Sequence, residues 1–235
     1  MNDKINALVL KINDYKENDL IMECISSDRS FLSLVGKGSK KVSGKNHFYN
    51  LCLYEIIIDY KDNKTMFTIH NSKLIKSYYE DKDLKLTAFK NILIELTLKS
   101  KELYEIDMYD NLLFVFNNIN KDNMYLLGSL YSSYILKISG LSPVVDGCVI
   151  CGDSKVVSIS NTLGGFVCAK HANNYNFSID TLKKFRLINK AEFVNYDAIK
   201  DVEYTFEDFN IMINFYVHNA DINLKSFKMY KELFY

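Results

Sequence analysis

Proline occurs once in this chain of 235 residues, and glycine only nine times. A chain so poor in both has little material for long linkers, and it reads as folded along most of its length. No apolar run reaches the ~20 residues that a membrane-spanning helix requires. Met1 to Lys11 has no apolar core followed by a small-residue cleavage site, so no signal peptide is visible and a cytoplasmic protein is expected. Charge of one sign is also lacking, because 29 basic residues balance 29 acidic ones. That excludes the overall basic character of a typical nucleic-acid-binding domain, while a local cluster of cations remains compatible with phosphate contact. Arginine stands only at Arg29 and Arg186, which reads as a compositional bias. No nucleophile elbow, phosphate loop or His-Glu metal helix is present, and the acidic residues are scattered rather than clustered. The expectation is a binding protein with no catalytic residues, hence not an enzyme.

What is present divides into two periodicities. Up to about residue 75 the pattern is that of short strands. Ala7–Ile12, Leu20–Ile25, Phe31–Val35, Leu51–Asp59 and Thr65–His70 are apolar or alternating runs. Between them lie turns such as Ser26-Ser27-Asp28-Arg29 and Asp62-Asn63-Lys64, and a long Gly/Ser/Lys loop. Five short strands close most economically as the Greek-key barrel of the OB-fold, which leaves no exposed edge. From about Asp81 the apolar spacing becomes helical. Helices are expected over Leu84 to Leu103, Tyr109–Asn118, Met124–Ile138, Thr181–Ile188, Thr205 to about His218, and Leu224–Phe234. The fold class is therefore α+β: a five-stranded OB barrel over 1–78, then a helical domain over 79–235 with an inserted zinc-binding segment at 146–172.

That segment carries the strongest chemical signal. Cys148-Val149-Ile150-Cys151-Gly152 and Cys168-Ala169-Lys170-His171 each place two ligands with two residues between them, and sixteen residues separate the two hooks. This spacing lets one tight turn aim both side chains at a single ion. Gly152 suits the turn after the second cysteine, and Gly164-Gly165 suits a hairpin between the hooks. Cys148, Cys151, Cys168 and His171 are the expected metal ligands. A closed set of three thiolates and one imidazole fits structural, tetrahedral Zn²⁺ with no open position for water. Its net charge would be −1, which Lys155 and Lys170 can offset. A redox Cys-x-x-Cys would follow a strand and open a helix in a βαβ setting, and that context is missing. Cys24 and Cys52 lie on predicted strands and read as buried apolar residues.

A second cluster is basic. Lys37, Lys40, Lys41 and Lys45 fall within nine residues beside Gly36, Gly38 and Gly44, after the third predicted strand. Loops of an OB barrel are common sites of oligonucleotide binding, but a solvated lysine loop has the same composition. Tyr15, Phe31, Phe48, Tyr49 and Tyr60 are candidates for base stacking or for the barrel interior. The helical part also admits another reading, a protein-interaction adaptor that takes a partner peptide and binds little DNA.

In order along the chain, several segments resemble the bacterial RecO family of recombination mediators. They are Ala7-Leu8-Val9-Leu10-Lys11 with Tyr15 and the Glu17–Asp19 turn; Val35-Gly36-Lys37-Gly38-Ser39-Lys40-Lys41; Gly140-Leu141-Ser142-Pro143 with the first hook; Leu163-Gly164-Gly165-Phe166-Val167-Cys168; and Leu224-Lys225-Ser226 with Tyr230 and Leu233. The resemblance implies the same OB barrel and zinc-bearing helical domain. It implies binding of single- and double-stranded DNA, annealing of complementary strands, and help with loading RecA together with RecR on strands coated by single-stranded DNA-binding protein. By position it gives the DNA-contact role to Lys37, Lys40, Lys41 and Lys45. Lysine stands where the family loop usually carries arginine, so a point charge replaces a forked phosphate contact. Histidine stands at the fourth ligand position, where many relatives have cysteine.

Overall fold

The computed structural model describes residues 2–28, 30–41, 47–59, 66–80, 82–103, 107–173 and 176–235. Five strands open the chain: β1 (Asn2–Tyr15), β2 (Asp19–Ser26), β3 (Ser30–Gly36), β4 (Cys52–Asp59) and β5 (Met66–Ser77). They close into a barrel in the order β1-β2-β3-β5-β4, with β1 returning to pair with β4. All pairings are antiparallel except β3 with β5, which is parallel and, among the described residues, joins Ser33–Val35 to Met66–Thr68. This is the OB-fold topology expected from the strand count.

Alternation explains why these residues form strands. Ile5, Ala7 and Val9 of β1, Met22 and Cys24 of β2, Leu32 and Leu34 of β3, Cys52, Tyr54, Ile56 and Ile58 of β4, and Phe67 and Ile69 of β5 point into one core. Each such side chain stabilises the barrel by roughly 1.5–3 kcal/mol if it is a fully buried Val, Leu, Ile, Phe or Met. Cys24 and Cys52 are part of this apolar interior, and burial pushes the Cys24 thiol up from its ordinary value. β1 begins five residues earlier than its apolar run, and β5 runs seven residues past His70. Both extensions are held by ladder pairing with β4, and in the β1 extension the buried Ile5 also joins the core.

Six helices follow: α1 (Leu84–Lys99), α2 (Met108–Asn118), α3 (Met124–Ile138), α4 (Ile179–Lys190), α5 (Phe206–Asn219) and α6 (Lys225–Phe234). Their starts obey capping chemistry. Asp83 accepts the Leu86 N–H at α1, Ser178 accepts the Thr181 N–H at α4, and Thr205 with Asp208 forms a capping box at α5. None of the described helices is long and apolar enough to cross a membrane.

By packing, the chain forms two compact units, Met1–Phe116 and Asn117–Tyr235. In the first, α1 packs against β1, and the Tyr78 and Phe116 rings lie 5.3 Å apart. Lys90 is buried here, donating to the Tyr78 carbonyl at 2.9 Å and to Glu80 at 3.1 Å, and desolvation lowers its pKa. In the second unit α3 packs on α4 and α5. Phe206 and Phe209 of α5 meet Phe227 of α6, and Tyr230 meets Phe206. Between α3 and α4 the chain forms a two-stranded hairpin, β6 (Val156–Ser160) and β7 (Gly165–Cys168).

Candidate metal centre and basic barrel loop

The hairpin is built around its two hooks. The first precedes β6: the Gly152 N–H donates to the Cys148 carbonyl and the Cys148 N–H to the Asp153 carbonyl, both at 2.8 Å. Gly152 takes a φ of +74°, which favours glycine. The second hook ends β7, where the His171 and Ala172 N–H groups both donate to the Cys168 carbonyl at 3.0 Å. The Val149 N–H donates to the Phe166 carbonyl at 2.8 Å and fastens the first hook to β7. Gly165 is needed for a different reason. Val144 runs parallel beside it, and a Cβ on Gly165 would stand 2.3 Å from the Val144 carbonyl oxygen.

These turns bring Cys148, Cys151, Cys168 and His171 together, with all four ligand atoms within 4.8 Å of one another. Cys151 Sγ and Cys168 Sγ are 3.7 Å apart, and His171 Nδ1 lies 3.4 Å from both Cys148 Sγ and Cys168 Sγ. A tetrahedral Zn²⁺ with ordinary bond lengths sets S···S edges of about 3.8 Å and S···N edges of about 3.6 Å. The donor set and its spacing fit such an ion, so this group can hold a metal.

The thiols share their protons unequally. Burial would push the Cys148 thiol up, but N–H groups of Cys168, Cys151 and Ile150, together with His171, hold it down at about 6. At Cys151 the Asp153 N–H lowers the thiol, yet burial and hydrogen bonds with Cys148 and Cys168 outweigh it and leave the pKa raised. A metal removes this conflict by deprotonating its thiol ligands. Phe166 of β7 packs on Phe185 of α4 with ring centroids 5.8 Å apart, and Ile159 of β6 is buried as well. The buried apolar cluster around the hooks is Cys148, Val167 and Cys168, with Val149, Val156 and Ala172 partly covered. Outside it, Asp146 accepts from Arg186 at 2.8 Å and from Lys190, both on α4.

The basic loop leaves β3 at the rim of the barrel. Lys37, Lys40 and Lys41 are exposed there, and Lys45 lies outside the described residues. The loop is pinned to the β1–β2 turn. The Gly38 N–H donates to Asp19 Oδ1 at 2.8 Å and the Lys40 N–H to the Asn18 carbonyl at 3.1 Å. The Lys40 ammonium pairs with Asp14 at 3.1 Å. Lys16, in the same turn, stands 5.3 Å over the Tyr15 ring and adds a cation near the rim. Sequence reasoning had no signal for Lys16, Asp14 or Asp19 as part of this surface, because the pinning joins segments about twenty residues apart. Among the aromatic candidates, Phe48 is core, edge-on to Tyr54 at 5.2 Å. Tyr49 is 65% exposed, Tyr15 and Phe31 are half-buried, and Tyr60 lies outside the described residues.

Barrel topology and closed ligand set together define a class: an OB-barrel protein whose helical part carries a compact Cys₃His centre. Residues 1–78 match the family model described as Recombination protein O N terminal. Over 247 aligned positions the chain is 24% identical to the DNA repair protein RecO of Bacillus cereus strain B4264. It is 23% identical to the proteins of that name from Bacillus anthracis strain CDC 684 and Bacillus thuringiensis subsp. konkukian strain 97-27. Each alignment covers 99% of this chain and 98% of the relative. The chain is thus similar to RecO proteins over nearly its whole length, and its first third matches the N-terminal model of that family.

Proposed function

We propose that this protein is a cytoplasmic, non-catalytic mediator of DNA repair and recombination. The similar proteins are named for DNA repair, and the observation that carries the finer reading is the set of exposed lysines pinned at the barrel rim. In this reading 1–78 is the DNA-binding domain and 79–235 the helical scaffold with the zinc element at 146–172. Lys37, Lys40, Lys41 and Lys45 contact phosphates. Lys40 exchanges its Asp14 partner for a phosphate oxygen when DNA arrives. Affinity is then electrostatic and independent of sequence, for single and double strands alike. Two strands held by their backbones on cationic surfaces repel each other less, which favours annealing. With RecR, the same grip assists RecA loading onto coated single strands.

Cys148, Cys151, Cys168 and His171 hold a structural Zn²⁺. The ion supplies folding free energy to the hairpin and takes no part in covalent chemistry. The coating protein, single-stranded DNA-binding protein, is a third partner. A groove of about 310 Å³ along α5 and α6 has an apolar floor of Val217, Leu224 and Phe227 and the cations Lys228 and Lys231 at its rim, which suits an acidic, apolar peptide. The same groove favours the second reading, an adaptor that docks a partner peptide and binds little DNA.

Salt titration of single-stranded DNA binding separates the two. Lys40→Ala with Lys41→Ala is expected to flatten log affinity against log salt by about one unit per lost contact. An unchanged slope removes the loop from the interface and leaves the adaptor. Annealing assays with and without coating protein and RecR test the partner steps.

A further inference from the structure

The second unit contains a cleft of about 650 Å³ that the basic loop does not use and that borders the metal centre through Val167 and the imidazole of His171. One wall is β6 and the turn after it, and the other is a stripe of α5: Glu207, Asn210, Asn214 and His218. The opposite face of α5 holds Phe209, Met212, Phe215 and Tyr216 in the core, so helical spacing aims the stripe into the cleft. An ordinary solvated helix face alternates acids and bases, whereas this one is amide, imidazole and a single carboxylate. No lysine or arginine lines the cleft, although the chain has 29 of them.

The lining selects the ligand by chemistry. With no cation present, a phosphate- or carboxylate-led ligand has nothing to anchor it. Ser158 is 5% exposed, and its hydroxyl neither hydrogen-bonds among the described residues nor is sealed from the cleft. Asn214 donates to Asn210 at 2.9 Å, which fixes the two amides and leaves one carbonyl and one amine of the pair for a ligand. The ring of Phe177 also lines the cleft and offers an apolar face. Strand addition by an extended peptide is obstructed, because the Phe177 N–H already occupies the Val157 carbonyl at 2.9 Å on β6.

We infer that this cleft takes an uncharged, planar, hydrogen-bonding ring: an unpaired nucleobase, with its sugar and phosphate outside. Side-chain amides pair with base edges, and aromatic faces stack on bases splayed from a single strand. The exposed carboxylate of Glu207 accepts from exocyclic amino groups, so amino-bearing bases are preferred to thymine. The inference rests on the DNA-binding reading above, but it concerns a different surface.

The test uses the full-length protein with its metal, followed by amide NMR during titration with the four deoxynucleosides and their 5′-monophosphates. Deoxyadenosine and deoxycytidine are expected to shift resonances of 158–162 and 207–218, with thymidine weaker and the monophosphates no tighter. Asn214→Ala, at an exposed position, is expected to weaken binding about tenfold, the loss of one or two hydrogen bonds. Silent cleft resonances, monophosphates that bind more tightly than nucleosides, or unchanged affinity in Asn214→Ala would each overturn the inference. Lys40→Ala with Lys41→Ala must leave nucleoside binding intact. The salt slope of that variant reports on the rim lysines alone, so the two readings fail separately.

Discussion

The barrel and the metal hairpin are both small β structures, and they are held by opposite means. The barrel gathers inward-facing side chains from five strands and closes its ladder on itself, so hydrogen bonds and apolar burial suffice. The hairpin has two strands, and the three buried residues of its cluster include two of the thiols. An isolated two-stranded hairpin is marginal in water. Where a cluster is this small, four ligand atoms able to hold one cation can add what burial does not supply.

Stripping the metal should give the largest effect and the sharpest contrast. Structural zinc in small elements is worth on the order of 10 kcal/mol. Chelation, or Cys168→Ser, is expected to abolish hydrogen-exchange protection over 144–172 while the barrel strands keep theirs. Equal loss in both would mean that the two regions do not differ as described. The reciprocal change is Leu34→Ala, which opens a cavity in the barrel. It should cost about 2–5 kcal/mol by denaturant unfolding and leave metal affinity untouched.

Alkaline pH sharpens the comparison between the two units. Burial raises Tyr109 to about 12 and raises Tyr54, Tyr125 and Tyr204 as well; hydrogen bonds to Tyr230 and Tyr235 add to the shift at Tyr125. A phenol with a raised folded pKa contributes stability that is complete below its unfolded value near 10 and is lost as pH climbs through the folded one. Lys90, lowered by desolvation, acts the other way: the unfolded chain holds that proton longer, so stability is gained as pH rises towards 10.5. Lys90 lies in the first unit along with the raised Cys24 thiol, and the second unit holds Cys148, whose thiol is lowered, so each unit has shifted groups of both signs. Both units should therefore lose stability as pH climbs past about 10, and tryptic cleavage across a pH series reads which one opens first. The smallest effect is expected from Thr205→Ala, which breaks the capping box of α5 and costs about 1 kcal/mol, a modest drop in melting temperature.

These differences bear on what the sequence discloses. Alternation at Ile5, Ala7 and Val9, and the helical spacing of Phe89, Ile92, Leu93 and Leu96, are local patterns, and the elements they predict are present. The two Cys and His hooks are local too, and the structure brings their four ligand atoms together. What escaped is what depends on a distant neighbour. Residues 70–77 are mostly exposed and carry little apolar signal, and only pairing with β4 makes them strand. Gly165 looks like one half of a turn signal until Val144 is seen against it. Asp14, four residues beyond Leu10 in sequence, gives no hint that it meets Lys40. The polar stripe of α5 reads as an ordinary outer face until β6 is placed opposite it.

Among the described residues the parallel pairing of β3 with β5 spans three residue pairs, whereas every other seam of the barrel is longer. A closed cylinder parts first where the fewest bonds cross, so this short seam is the expected place for the wall to open. β3 runs straight from that seam into the lysine rim. Thermal opening there would swing the rim as a flap on the β1–β2 turn, without disturbing the four stronger seams behind it.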